Sequence, residues 1–252
     1  MSIIAVIPAH YSSIRLPNKI VLDIHGILMI EHVRRRALLA KSISDVFVAT
    51  CDNEIADVVD KSGGKVIMTS DKHLNGTSRV AEAIENIDCE YVIVLQGDEP
   101  LLLPRHLDQI TENIKEDKNY DVWNATGLLE NKEELLKHSF VKCLINNNEI
   151  VDCFRTYSSN DDFMTQQIII QKILGIIIYK RDVIIELSKI KPAKKEVSDF
   201  IEQMRIIENN FKFKSILVEP TLPSINEPAE VNIVLEFIDN NIEQFKLLEK
   251  IR

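Results

Sequence analysis

The chain has 252 residues, of which 45% are hydrophobic and 27% are charged. This length and composition fit one large α/β domain or two small ones, and the net charge of −9 argues against a general binder of nucleic acids or anionic membranes. The four cysteines form no C-x-x-C pair, which is typical of free thiols in a reducing compartment. The first residues show neither a basic leader nor a long apolar run, so we expect a cytoplasmic protein.

Short apolar runs alternate with amphipathic segments through the first hundred residues. The runs predict strands at residues 3–7, 45–50, 65–69 and 90–96, and the amphipathic segments predict helices at residues 27–42, 53–63 and 78–87. This alternation is typical of βαβ units and of a parallel sheet that is covered on both faces.

The second half of the chain continues the α/β pattern. We interpret the polar stretch at residues 158–167 as a loop, and we predict strands at 172–179 and 213–219, a helix at 196–209 and a terminal helix from about Ala229. The predicted fold class is α/β, with a doubly wound, mainly parallel, Rossmann-like sheet in a single domain over residues 1–252. Ligands of such sheets bind at the carboxyl ends of the strands.

The loop after the first predicted strand is rich in hydrogen-bond donors. The sequence AVIPAHYSSIRLPNK (5–19) contains Ser12, Ser13, Arg15 and Lys19 but no glycine, so it is neither a P-loop nor a dinucleotide fingerprint. Two hydroxyls and two cations suit a triphosphate, because arginine offers a planar fork and lysine a mobile point charge. A solvated loop without a ligand is the alternative interpretation.

A second polar segment, HLNGTSR (73–79), precedes a predicted helix. Asn75–Gly76 is a turn signal, and Thr77 or Ser78 is a candidate helix cap. Arg79 then falls in the first helical turn, where the helix dipole disfavours a cation. Its position indicates either a functional role or a chance placement.

A third polar segment, LQGDEPLL (95–102), follows the most apolar strand of the first half. A carboxylate at the tip of a central strand, here Asp98, is well placed to hold Mg²⁺ between phosphate oxygens. An ordinary Asp–Glu turn is the alternative interpretation.

In order and spacing, these segments resemble the CMP-Kdo synthetases, the 3-deoxy-manno-octulosonate cytidylyltransferases. In that family the motifs read close to IPARYxSTRLPGK, SGTxR and VQGDEP, against IPAHYSSIRLPNK (7–19), NGTSR (75–79) and LQGDEP (95–100) here. The resemblance implies the sheet of the nucleotide-diphospho-sugar transferases with an inserted dimerisation arm at roughly residues 130–180. The apolar run at residues 168–179 is then expected to be a strand at the interface of a homodimer.

The resemblance also implies roles for the matching residues. Lys19 would support the attacked α-phosphate with Arg15 beside it, and Asp98 would bind Mg²⁺. The nucleotide site would further include Pro8, Ala9, His10, Ser12, Ser13, Gly76, Thr77, Arg79 and Gln96. An anomeric hydroxyl of a sugar acid would attack the α-phosphorus of CTP and pyrophosphate would leave, with positioning and charge neutralisation supplying most of the barrier reduction.

Two departures from the family lie in the first loop. His10 replaces the arginine of IPAR, and a neutral imidazole carries no fixed charge. Asn18 replaces the glycine of LPGK, and because asparagine tolerates the left-handed conformation, we expect the turn to survive.

Further departures concern the sugar acid. The family's HLGIYGY strand corresponds to ILGIIIY (173–179), which puts Ile173 and Ile177 where the family has a histidine and a tyrosine. The LEQLR helix is retained as IEQMR (201–205). The resemblance therefore implies these substrate-binding residues: Gln96, Lys142, Arg155, Glu202 and Gln203.

The last departure concerns the metal. The family's VDTPEDL carries the second Mg²⁺ carboxylate, and the matching stretch INEPAEV (225–231) has Asn226 there with Glu227 beside it. Asp98, Asn226 and Glu227 are therefore the candidate metal ligands. An amide offers a carbonyl oxygen without negative charge, so weaker metal binding is expected, and whether Glu227 replaces the missing aspartate stays open.

Several functional interpretations follow from these matches and departures. The chain is a cytidylyltransferase for an amino or deoxy variant of Kdo, a Kdo enzyme with a differently built sugar site, a nucleotide-binding relative without turnover, or a nucleotidyltransferase with another acceptor. The retained site residues argue against simple decay. We expect a homodimer that uses CTP, Mg²⁺ and a 2-keto-3-deoxy sugar acid for surface polysaccharide or lipopolysaccharide synthesis, without nucleic-acid or membrane partners.

Overall fold

The structure, a computed structural model, describes residues 1–11, 16–158 and 162–252. Its strands are β1 (Ile3–Ala9), β2 (Asp23–Ile24), β3 (Ile27–Leu28), β4 (Asp45–Thr50), β5 (Lys65–Met68), β6 (Tyr91–Leu95), β7 (Val122–Gly127), β8 (Lys142–Asn146), β9 (Glu149–Phe154), β10 (Ile170–Lys180) and β11 (Phe213–Leu217). Its helices are α1 (Met29–Ala37), α2 (Asn53–Lys61), α3 (Gly76–Ala83), α4 (Pro104–Glu116), α5 (Phe163–Ile169), α6 (Arg181–Lys189), α7 (Lys194–Asp199), α8 (Gln203–Glu208), α9 (Pro228–Asn240) and α10 (Ile242–Ile251). In these described ranges, no helix has both the length and the apolar character of a membrane span.

Residues 1–108 and 222–252 form one compact unit. Its main sheet has the order β5-β4-β1-β6, and each neighbouring pair is parallel. Every residue of β1 and of β6 is buried, as expected for strands that are covered on both faces. The predicted parallel sheet is thus confirmed in this unit, and the carboxyl ends of β1, β4 and β6 lie at one edge.

Residues 109–221 form a second compact unit with a mixed sheet. The strand order is β10-β7-β11-β9-β8, in which β11 runs parallel to β7 while β10 runs antiparallel to it. Strands β8 and β9 form an antiparallel pair. The segment at residues 130–180 falls within this unit, and its role as an inserted arm of a single domain stays a prediction.

The core of the first unit joins its early and late parts. Met29 at the start of α1 and Leu101 after β6 pack with apolar residues of α9 and α10, including Val234, Ile238 and Leu248. Burial of this apolar surface fixes the segment before α9 close to the end of β6.

Two helix predictions were wrong at their boundaries. The helix predicted from residue 27 begins at Met29, because Ile27 and Leu28 pair with β2 across a turn in which His25 and Gly26 have φ of 52° and 83°. The helix predicted at 196–209 is two helices, α7 and α8, because Phe200 adopts φ 55° between them.

Two predictions for the second unit also need correction. The stretch at 158–167 was predicted as a loop, but helix α5 begins at Phe163, where the Asp162 carboxylate accepts a hydrogen bond from Met164 N. Residues 159–161 lie outside the described residues. The apolar run at 168–179 forms the end of α5 and then β10, and only Ile168 and Ile169 in it are strongly exposed.

His32 is a buried imidazole that we expect to make stability depend on pH. Its Nε2 donates to the Ile24 carbonyl at 2.8 Å, and its Nδ1 has no hydrogen-bond partner among the described residues. Burial, opposed by that hydrogen bond and reinforced by the charge of Arg36, lowers the pKa of His32 from 6.5 to about 4.

We predict that this residue lowers the free energy of unfolding by about 2 kcal/mol between pH 7 and pH 4.5, because the unfolded chain takes up a proton near pH 6.5 whereas the folded protein does not. Urea unfolding at both pH values, on the wild type and on His32→Gln, measures the effect. Glutamine keeps a donor for Ile24 but does not titrate, so equal pH dependences of the two proteins would contradict the prediction.

Candidate functional site

An ion pair joins the loops after β1 and β6. Lys19 Nζ lies 2.5 Å from Asp98 Oδ2, and the two side chains are only 17% and 19% exposed. The turn before Lys19 depends on Asn18, which adopts φ 59° and ψ 16°. The expected left-handed conformation of Asn18 is therefore confirmed, and the two predicted catalytic residues that the structure describes are in direct contact.

Three predicted nucleotide-binding residues also lie close together. A Cβ added at Gly76 would lie 2.9 Å from Pro8 Cγ and 3.9 Å from Gln96 Nε2. A side chain at position 76 would therefore displace the proline at the end of β1. Ala9, the last residue of β1, is buried beside this contact point. The three motifs thus meet at one edge of the parallel sheet.

Helix α3 begins at this edge with an asparagine cap. Asn75 Oδ1 accepts a hydrogen bond from Ser78 N at 2.9 Å, so the prediction of Thr77 or Ser78 as the cap was wrong. Thr77 lies in the first turn of α3. The cap satisfies one of the backbone amides that no helical carbonyl can reach.

Arg79 is buried and ties the first turn of α3 to the loop after β5. Its Nη1 donates to Thr69 Oγ1 at 2.6 Å and to the Ser70 carbonyl at 3.2 Å, and the residue is 3% exposed. This anchoring explains why a cation is tolerated at an unfavourable position of the helix dipole. Its predicted contact with the nucleotide stays a prediction.

The loop between β1 and Lys19 begins with His10 and Tyr11. Partial desolvation and the charge of Arg79 lower the pKa of His10, Asp52 opposes the shift, and Lys19 adds to it. The lowered pKa favours the neutral imidazole, whereas the resemblance would place a charged arginine at this position. The predicted residues Ser12, Ser13 and Arg15 lie outside the described residues.

Asp52 holds the start of this loop and was not singled out from the sequence. Its Oδ2 accepts a hydrogen bond from Tyr11 N at 3.0 Å. Asp52 lies two residues after the end of β4, the neighbour of β1, so its carboxylate lies at the same sheet edge. Its position just after a predicted buried strand could have identified Asp52 as a site residue, but it belongs to none of the three motifs.

The predicted sugar-binding cations of the second unit donate to backbone carbonyls. Lys142 is fully buried, and its Nζ contacts the carbonyl oxygens of Lys137, Phe140 and Arg155. Burial, opposed by the charge of Glu134, lowers the pKa of Lys142 to about 8. Lys142 therefore ties the start of β8 to the end of β9.

Arg155 fixes the segment that precedes Glu202 and Gln203. Its guanidinium donates to the carbonyl oxygens of Asp199 at 3.2 Å, Phe200 at 2.9 Å and His138 at 3.2 Å. Glu202 is the N-cap of α8 and Gln203 is its first residue, and both are partly exposed. Substrate contacts of all four residues stay predictions.

The two aliphatic replacements of the sugar site lie on β10. Ile177 is 5% exposed and pairs with Asn124, whereas Ile173 is partly exposed and pairs with Thr126. The strand register shifts between them, and Asn124 Nδ2 donates to the carbonyls of Leu174 and Ile176 there. Strand β10 is thus irregular, and it carries isoleucines at the two positions where the resemblance implies polar side chains.

Comparison with known proteins decides the family. A family model described as cytidylyltransferase matches residues 4–216. A 3-deoxy-manno-octulosonate cytidylyltransferase of Fusobacterium nucleatum is 35% identical, over 96% of this chain and 100% of that protein. The chain belongs to the CMP-Kdo synthetase family of cytidylyltransferases.

Two further family members are informative. An 8-amino-3,8-dideoxy-manno-octulosonate cytidylyltransferase of Shewanella pealeana is 32% identical, over 92% of this chain and 97% of that protein. The structure of a CMP:2-keto-3-deoxy-manno-octonic acid synthetase complexed with CTP superimposes with a TM-score of 0.86 and 31% identity, over 95% of this chain and 99% of that one. The predicted α/β fold of this cytidylyltransferase is therefore confirmed.

The candidate metal ligands of this family member do not fit a resident Mg²⁺. Ile225 N donates to the Asp98 carbonyl at 3.0 Å, which brings the segment with Asn226 and Glu227 to the end of β6. Asp98 is already paired with Lys19, and residue 226 is a neutral amide. Within the described ranges, no group of three or more His, Cys, Asp or Glu side chains is arranged to hold a metal.

We predict that Asp52→Ala weakens CTP binding about fivefold, because it removes the acceptor that positions Tyr11 at the start of the loop. Asp52→Asn also removes the charge but keeps an oxygen that can accept the hydrogen bond, so it should bind CTP nearly as the wild type does. Isothermal titration calorimetry with CTP measures both variants. Equal losses in the two would show that charge, and not loop position, is the contribution of Asp52.

Proposed function

We propose that this protein transfers CMP from CTP to the anomeric hydroxyl of a 2-keto-3-deoxy sugar acid, Kdo or its 8-amino analogue, and releases pyrophosphate. The contact between Lys19 and Asp98 carries the proposal, because it puts a cation at the sheet edge where all three motifs meet. The names of the Fusobacterium and Shewanella relatives support the two acceptors.

The proposed reaction requires the protein to position the two substrates and to neutralise negative charge on the phosphates. In the proposed reaction, Lys19 neutralises the charge that develops on the α-phosphate oxygens while the anomeric oxygen attacks phosphorus and the bond to pyrophosphate breaks. Asp98 holds the ammonium of Lys19 at that point, and the Asn75-capped start of α3 lies beside the nucleotide. No covalent intermediate with the protein is required.

The choice of acceptor is restricted by two polar side chains that the second unit lacks. Buried polar groups that lose their partner are penalised, so a site built for a hydroxyl rejects an analogue without it. With Ile173 and Ile177 at the positions of two family polar residues, the chain favours an acceptor that presents fewer hydroxyl groups. The 8-amino analogue named for the Shewanella relative has one hydroxyl fewer than Kdo, so both acids are candidate acceptors.

We predict pyrophosphate release when CTP, Mg²⁺ and one sugar acid of a panel are combined, and no release with Asp98→Ala. The panel contains Kdo, its 8-amino analogue and nonulosonic acids, and UTP, ATP and GTP replace CTP in parallel reactions. A coupled phosphate assay measures turnover, and circular dichroism shows that the variant is folded. Tight CTP binding without pyrophosphate release for any acid would instead indicate a nucleotide-binding relative, and turnover with another nucleotide would contradict the choice of CTP.

We further propose a cytoplasmic homodimer that serves surface polysaccharide or lipopolysaccharide synthesis. Three apolar side chains of the second unit support an interface with a second copy: Met164, Ile168 and Phe200 are 68%, 73% and 81% exposed. Covering such side chains with a second copy would remove apolar surface from water.

We predict by light scattering a mass of twice 28.9 kDa, shifted toward the monomer by Ile168→Lys. Ile242→Lys is a matched control, because Ile242 is 75% exposed in the first unit and should leave the mass unchanged. A monomeric wild type would contradict the proposed dimer without bearing on the reaction.

A further inference from the structure

The negative charge of Asp98 already has a counter-ion within the protein. Lys19 Nζ lies 2.5 Å from Asp98 Oδ2, and both side chains are more than four-fifths buried. A close pair with little solvent around it is strongly attractive, and a divalent cation at the same oxygen would have to compete with the ammonium.

The neighbouring position offers no second charge. Asn226 Nδ2 donates to Ser224 Oγ at 3.0 Å, which engages the amide within its own loop. The Ile225 amide is bound to the Asp98 carbonyl, so residue 226 stays near Asp98 but contributes a neutral side chain. Mg²⁺ binds hard, preferably anionic oxygen ligands and gives up its water reluctantly.

The carboxylate of Glu230, four residues after Asn226, accepts hydrogen bonds from the backbone. Its Oε2 accepts hydrogen bonds from Asn226 N at 2.5 Å and from Glu227 N at 3.0 Å, which closes the first turn of α9. Metal ligation through Oε2 would compete with both contacts. Glu227 is the N-cap residue of α9 and is exposed to solvent.

We propose that this protein has no resident divalent-cation site and that Lys19 is the counter-ion of Asp98 in the nucleotide-free state. Mg²⁺ then enters bound to the phosphates of CTP, which supply the anionic oxygens that Asn226 does not. The pairing of Lys19 with Asp98 in the nucleotide-free protein is independent of the proposed function, whereas entry of Mg²⁺ with CTP rests on that function. Asn226 thus makes metal binding depend on the nucleotide.

Electron paramagnetic resonance titration of the nucleotide-free protein with Mn²⁺ tests the first statement. The wild type should show no saturable binding and should be indistinguishable from Asp98→Asn. Asn226→Asp adds the missing charge and should bind Mn²⁺ at least about tenfold more tightly than the wild type. The gain should disappear when Asp98→Asn is added.

Three outcomes would overturn that statement. The first is a saturable Mn²⁺ site in the wild type that Asp98→Asn removes, and the second is such a site that Glu227→Gln removes, which would make Glu227 the missing ligand. The third is an Asn226→Asp variant that is folded by circular dichroism, melts near the wild-type temperature and still binds no Mn²⁺.

Calorimetric titration with CTP, with and without Mg²⁺, tests the second statement. Mg²⁺ should tighten CTP binding to the wild type at least about tenfold. Equal affinities would overturn entry of the metal with the nucleotide. Failure of CTP to bind in either buffer would contradict the proposed function, while the Mn²⁺ titration would still decide the nucleotide-free state.

Discussion

The ion pair between Lys19 and Asp98 is the contact on which the candidate site depends. Asp98 lies three residues after β6, a fully buried parallel strand, and Lys19 follows the left-handed turn at Asn18. The turn at Asn18 precedes Lys19, and the amide of Ile225 donates to the Asp98 carbonyl at 3.0 Å. The two charges of the candidate site are therefore held by contacts on both of its loops.

Much of the first unit could be predicted because its signals are local. Strands buried on both faces read as unbroken apolar runs, and the predicted strand at residues 45–50 matches β4 at both ends. The left-handed turn at Asn18 could also be predicted, because few residue types tolerate this conformation. Predictions failed where a partner distant in sequence or a single backbone dihedral decides the structure, as at Ile27 in its short hairpin and at Phe200 between two helices.

The site was predictable as a set of motifs but not as a set of contacts. The sequence identified Gly76, Gln96 and Asp98, yet it did not indicate that Asp52 would anchor the loop, because that hydrogen bond joins residues 41 positions apart. Lys142 and Arg155 show the converse. Their charges suggested ligands, but the tertiary structure directs their donors to backbone carbonyls, which no local pattern reveals.

The first unit is built from both ends of the chain, and this has a consequence for its biosynthesis. Residues 109–221, which form the second unit, leave the ribosome before residues 222–252, which complete the first. Until then, the apolar faces of Met29 and Leu101 lack Val234, Ile238 and Leu248, and the Asp98 carbonyl lacks the amide of Ile225. The core of the first unit therefore stays incomplete while the second unit is synthesised, and the hydrogen bond from the Ile225 amide to the Asp98 carbonyl forms only afterwards.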